Sequence, residues 1–136
     1  MRLEELLDNF DLFEDWEDRY KYIIELGKKL PDLDDKHKRE ENKVQGCMSQ
    51  VWMVALPSDP DSSSRTYHFL ADSDAFIVKG LVAILLIIYN GKTKEDIAQT
   101  NIEDIFRKLN LEGHLSPTRR NGFFSMVQKI QSLAKD

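Results

Sequence analysis

One residue of this 136-residue chain can do thiol chemistry: Cys47, the only cysteine. It stands in the run Asn42-Lys43-Val44-Gln45-Gly46-Cys47-Met48-Ser49-Gln50-Val51-Trp52, directly after a glycine and just ahead of an apolar stretch. A lone cysteine among apolar neighbours is commonly a small buried hydrophobe. Against that, Gly46 permits a tight turn, which sets Cys47 at a loop apex rather than inside a strand. Backbone N–H groups of such a turn can stabilise a thiolate, the reactive form of the residue. Met48 and Val51 flank the sulfur and can wall it from solvent. Residue type alone leaves both readings open.

The remaining chemistry-bearing residues narrow the choice. His37, His68 and His114 are far apart with no close pair, and one cysteine cannot complete a closed cluster, so no metal site is expected. Gly-rich phosphate loops and a G-x-S-x-G elbow are absent. A cysteine-nucleophile hydrolase needs a histidine beside Cys47, and only His37 or His68 could serve. Arg119 and Arg120 fall in the first turn of the last helix, where a cation opposes the helix dipole by roughly 0.3–1 kcal/mol. A compensating group is therefore expected: Asp72 or Asp74 in a structural pair, or else an anionic ligand or partner.

The elements that must position these residues follow from periodicity. Leu3, Leu6, Leu7 and Phe10 predict a short amphipathic helix over 2–9. Trp16, Tyr20, Ile23, Gly27 and Leu30 predict a second, capped by Asn9 or Asp11 and ended by Pro31. Residues 32–43 carry mixed charge and read as a solvated loop. Ser49–Leu56, apolar on both faces, predicts a strand covered on two sides. The turn formers of 57–64 separate it from a second strand over 65–71, which suggests an antiparallel hairpin, and Lys43–Gln45 are placed to add a short third strand. Asp72-Ser73-Asp74 is set to cap an apolar helix over 75–89, closed by Asn90-Gly91. Thr93 with Asp96, and Asn101 with Asp104, open two short helices. Ser116-Pro117 opens the last, with Phe123, Met126, Val127, Ile130 and Leu133 inward. The fold class is α+β: a small antiparallel sheet of about three strands packed against a cluster of helices.

Composition bounds the function. Hydrophobic residues make up 41% of the chain, enough for the core of a single ordinary domain. The start of the chain is acidic and lacks an apolar signal segment, and the apolar run 77–89 is shorter than the roughly 20 residues of a membrane span, so no membrane association is expected. Residues 1–35 carry 12 acidic and 5 basic side chains, which argues against a nucleic-acid partner. A single cysteine suits a reducing, cytoplasmic setting.

The run around Cys47 resembles the V-x-G-C-x-S-x-V-W signature of the SufE-like sulfur acceptors. Two further blocks match in the same order. Asp72-Ser73-Asp74 with Val78-Lys79-Gly80-Leu81 is similar to the family's D-S-[DE]-x-x-x-V-K-G-L block, and Leu115-Ser116-Pro117-Thr118-Arg119-Arg120-Asn121-Gly122 to its L-[ST]-P-[ST]-R-x-x-G block. Tyr22–Leu30 with Pro31 is similar to the family's early helix. The resemblance covers about residues 10–135 and implies one SufE-like domain over 1–136, with the fold that the family shares with cluster scaffolds. It also implies a partner of a cysteine desulfurase, SufS-like or CsdA-like, whose pyridoxal phosphate belongs to that partner, so this chain needs no cofactor of its own. By resemblance Cys47 accepts persulfide sulfur, stimulates the desulfurase, and passes the sulfur to an iron–sulfur scaffold protein. Gly46, Asp74 and Arg119 are then candidates for shaping the loop or the docking surface. A scaffold role fits poorly, because it calls for several cysteine ligands. A hydrolase, or an interaction domain with a merely buried cysteine, are the alternatives from other classes.

Overall fold

The structure is a computed structural model that describes residues 1–47, 49–57 and 65–134. It contains helices α1 (Leu3–Asp11) and α2 (Trp16–Lys28), two 3-10 turns (Asp35–His37 and Glu40–Asn42), and strands β1 (Val51–Pro57) and β2 (Thr66–Ser73). Helix α3 (Phe76–Tyr89), strand β3 (Lys92–Thr93) and helices α4 (Lys94–Gln99), α5 (Ile102–Lys108) and α6 (Pro117–Leu133) follow. The sheet is antiparallel in the order β1-β2-β3, with Val51 opposite Ser73 and Pro57 opposite Tyr67. The α+β architecture expected from the sequence is the one observed.

Helix α3 is the centre of the molecule. Ten of its 14 residues are buried, and it packs on β2, α2 and α6. Its contact with α2 is made at two glycines: a Cβ added to Gly27 would lie 2.6 Å from the Gly80 nitrogen. Burial therefore spreads over almost the whole surface of α3, as its composition demands. No helix among the described residues is long and apolar enough to cross a membrane.

Several local expectations are corrected by contacts distant in sequence. Asp15 caps α2 by accepting from the Asp18 N–H at 2.9 Å, in place of Asn9 or Asp11. Asp72 and Ser73 extend β2, leaving Ala75 as the N-cap of α3 with no side-chain cap bond. The third strand is Lys92–Thr93. Lys43–Gln45 contribute only a bridge from Lys43 to Trp52 and a Val44 N–H to Val51 oxygen bond of 2.8 Å, because the chain turns away at Gly46. Strand β1 is covered on one face, where Val51 and Met53 are buried. On the other side Trp52 and Val54 are half-covered, and Leu56, further along, is exposed.

The charged 32–43 segment is more than a solvated loop. Leu33 is buried beneath it, Lys38 lies over the Trp52 ring at 5.7 Å, and the Lys38 ammonium is 3.4 Å from the largely buried carboxylate of Asp72. Lys79 of α3 reaches the same carboxylate at 3.3 Å. The caps Thr93, Asn101 and Ser116 each accept the expected backbone N–H, three residues on, and Gly91 takes a positive φ of 81° after α3. Residues 58–64, expected as a turn-rich connection, lie outside the described residues, as does Met48.

Candidate functional site

The loop between Val44 and β1 is seated on α6. Gly46 has φ 90°, a backbone region that L side chains rarely adopt. A Cβ added there would fall 2.5 Å from the Ser125 hydroxyl. One residue on, the half-buried Cys47 thiol donates to the Gly122 carbonyl oxygen at 3.5 Å. Gly122 packs closely under the sulfur: a Cβ there would lie 3.4 Å from Sγ, in van der Waals contact with it. The loop apex inferred from Gly46-Cys47 thus has a floor, made by one face of α6.

Cys47 opens into a cavity of about 410 Å³. Ser49 joins it from the loop, Ala75, Ile77, Val78 and Leu81 from the start of α3, and Ser116, Thr118, Arg119, Gly122, Phe123 and Met126 from α6. The lining is mainly apolar, and burial pushes the Cys47 thiol above its ordinary pKa. That corrects the expectation of turn N–H groups stabilising a thiolate: at rest the thiol keeps its proton, and its bond is to a carbonyl acceptor. Val51 belongs to the core rather than to this lining, and Phe123 and Met126 wall the cavity in its place.

Asp74 and Arg119 both lie at the site, by different means. Asp74 clasps the end of the loop, accepting from the Gln50 N–H at 3.0 Å while its own N–H donates to the Gln50 oxygen at 3.2 Å. Arg119 is exposed and, among the described residues, is the only charged one in the cavity lining. The structural pair expected for it with Asp72 or Asp74 does not form, and among the described residues its side chain has no ion-pair partner. Asp72 is held by Lys38 and Lys79, and Arg120 pairs instead with Glu112 at 3.7 Å.

No histidine reaches Cys47. His37 is in the first 3-10 turn, His68 is exposed on β2, and His114 stacks on Trp16 with ring centroids 4.5 Å apart. Among the described residues no group of three or more His, Cys, Asp or Glu gathers as a metal site would require. Sequence reasoning passed over Gly122 as a contact and Ser125 altogether. The available signal was a glycine inside an otherwise regular helix, which commonly marks close packing.

A half-buried thiol in an apolar cavity, on an α+β frame with a three-stranded antiparallel sheet, defines the class of small thiol-bearing domains to which this chain belongs. Residues 4–134 match the SufE family, described as an Fe-S metabolism associated domain. An uncharacterized SufE-like protein of Rhizobium meliloti is 46% identical over 133 residues, 98% of this chain and 94% of the relative. Another from Rhizobium etli is 48% identical over 134 residues, 98% of this chain and 89% of the relative. The solution structure of a hypothetical protein from Thermus thermophilus shares the fold, with a TM-score of 0.73 at 19% identity over 97% of this chain and 92% of that one. The chain is a member of the SufE family, and its role lies in iron–sulfur metabolism.

Proposed function

We propose that the protein is a sulfur acceptor and carrier: Cys47 takes persulfide sulfur from a pyridoxal-phosphate cysteine desulfurase, stimulates that enzyme by clearing its sulfur, and delivers the sulfur to an iron–sulfur scaffold. The observation that carries this reading is the seating of the only cysteine in a largely apolar cavity, with no histidine among the described residues of the lining. A hydrolase would need a base there. A carrier needs shelter for a labile sulfur and no second thiol nearby to expel it as a disulfide.

The transfer balances without an external oxidant or reductant. The Cys47 thiol loses its proton, and Sγ attacks the outer sulfur of the donor's persulfide anion. A new S–S bond forms at Cys47, the donor's S–S bond breaks, and its electron pair leaves on the donor cysteine, which takes up the proton. The products are a Cys47 persulfide anion and a donor thiol. Because burial raises the pKa of Cys47, the resting thiol is a poor nucleophile, so docking has to turn the loop out of its seat on α6. Gly46 supplies the turn, Asp74 ties the far end of the loop at Gln50, and Arg119 offers a cation to the anionic sulfur. Thiol exchange of this kind suits a reducing compartment, and we place the protein in the cytoplasm.

The test is alanine release by a cysteine desulfurase supplied with free cysteine. Wild-type protein raises the rate and Cys47→Ser does not. Equal stimulation by the two proteins contradicts the proposal.

A further inference from the structure

Phe76 is the first residue of α3 and is 74% exposed, although the helix it opens is the most buried in the molecule. Among the described residues it makes no ring contact, and it supplies no cap. A single exposed apolar side chain ordinarily calls for no explanation. Two features set this one apart. Its neighbours Ala75, Ile77 and Val78 line the cavity that holds Cys47, so Phe76 carries the apolar lining out onto the surface. Among the described residues the same cavity has one charged lining residue, the exposed Arg119, which lacks an ion-pair partner there.

Those features fit one occupant, on the sulfur-transfer reading given above. Sulfur can pass only if the donor cysteine comes within bond-forming distance of Cys47 Sγ, so the donor must cover the surface around the cavity. The donor's persulfide is an anion and Arg119 is a cation, so the charges are complementary. Large apolar side chains that fill a pocket at the centre of an interface contribute most to its affinity. We propose that Phe76 is the apolar anchor by which this protein docks on its sulfur-donating desulfurase, inserting into an apolar pocket beside the donor cysteine.

The experiment measures binding of wild type, Phe76→Ala and Phe76→Asp to a cysteine desulfurase of the same organism by calorimetry. Sulfur uptake by Cys47 is followed in parallel. Because Phe76 is exposed, the variants should keep the wild-type melting temperature and the wild-type rate of Cys47 alkylation in the free protein. The expected result is a Kd raised at least about tenfold by Phe76→Ala and further by Phe76→Asp. Sulfur uptake at saturating desulfurase should be preserved, so that KM moves and kcat does not. Wild type that takes up sulfur while Phe76→Asp binds with unchanged Kd overturns the anchor and leaves the carrier reading standing. Self-association of the wild type that Phe76→Asp abolishes, seen by sedimentation, assigns the patch to a second copy and also overturns it. Wild type that takes up no sulfur removes the carrier reading and the anchor together.

Discussion

At the residue scale two glycines of the site differ in how much they matter. Gly46 holds a positive φ against Ser125, where a side chain would collide, while a Cβ at Gly122 would only touch the Cys47 sulfur at 3.4 Å. Gly46→Ala combines an unfavourable backbone with a collision on Ser125, so it should cost about 1–3 kcal/mol in chemical unfolding. It should also lift the loop and speed alkylation of Cys47 in the free protein; slower or unchanged alkylation would show that the loop is not held by this seat. The thiol itself gives a second prediction. Its pKa is raised by burial, so the pH profile of alkylation should have its midpoint above that of an unstructured cysteine peptide. The folded state keeps this proton longer than the unfolded chain does, so folding stability is lost as pH rises from the ordinary thiol value through the folded one. Cys47→Ser should flatten that decline in melting temperature between neutral and alkaline pH. Cys47 was legible from its uniqueness and its preceding glycine only together with the two distant blocks that resemble the same family. Its contact with Gly122 was not, since the two residues are 75 positions apart and a glycine within a helix marks close packing without naming the partner.

At the scale of elements, what could be read from sequence was what is decided within a turn of chain. The Thr93, Asn101 and Ser116 caps act three residues on, and all three are as expected. Asp72-Ser73-Asp74 looked like a cap for the same local reason. Tertiary contacts redirect it: Asp72 to the lysines at 38 and 79, Asp74 to the backbone of Gln50. The third strand was misplaced for a related cause. Lys43–Gln45 reach β1 but turn away at Gly46 after one bridge, whereas Lys92–Thr93, which follow α3, pair with β2 at the other edge of the sheet. The Asp74 clasp predicts that Asp74→Ala loses about 1 kcal/mol in urea unfolding and exposes the Gln50 amide to faster hydrogen exchange. Exchange unchanged at Gln50 would place the loop's restraint elsewhere. The crossing of α2 and α3 is stricter. Gly80→Ala has backbone of Ile23 in its path, so it should destabilise by about 1–3 kcal/mol or more, read as a fall in urea midpoint with the m-value kept.

At the scale of the whole molecule, a frame of six helices and three strands among the described residues brings three distant segments together: Cys47 and Ser49 of the loop, the start of α3 and the start of α6. These are the segments that carry the three motif blocks, so the fold gathers blocks far apart in the chain around one cavity. The cavity they form is largely apolar and carries one cation among the described residues, a setting consistent with the sulfur carrier proposed above. The measurement that bears most directly on this is the mass of the protein after incubation with a cysteine desulfurase and free cysteine, followed by mapping of the modified peptide. Wild type should gain sulfur on the peptide that contains Cys47, and Cys47→Ser should gain none. A wild-type protein that gains no sulfur, or a Cys47→Ser protein that gains as much, would contradict sulfur transfer through this residue.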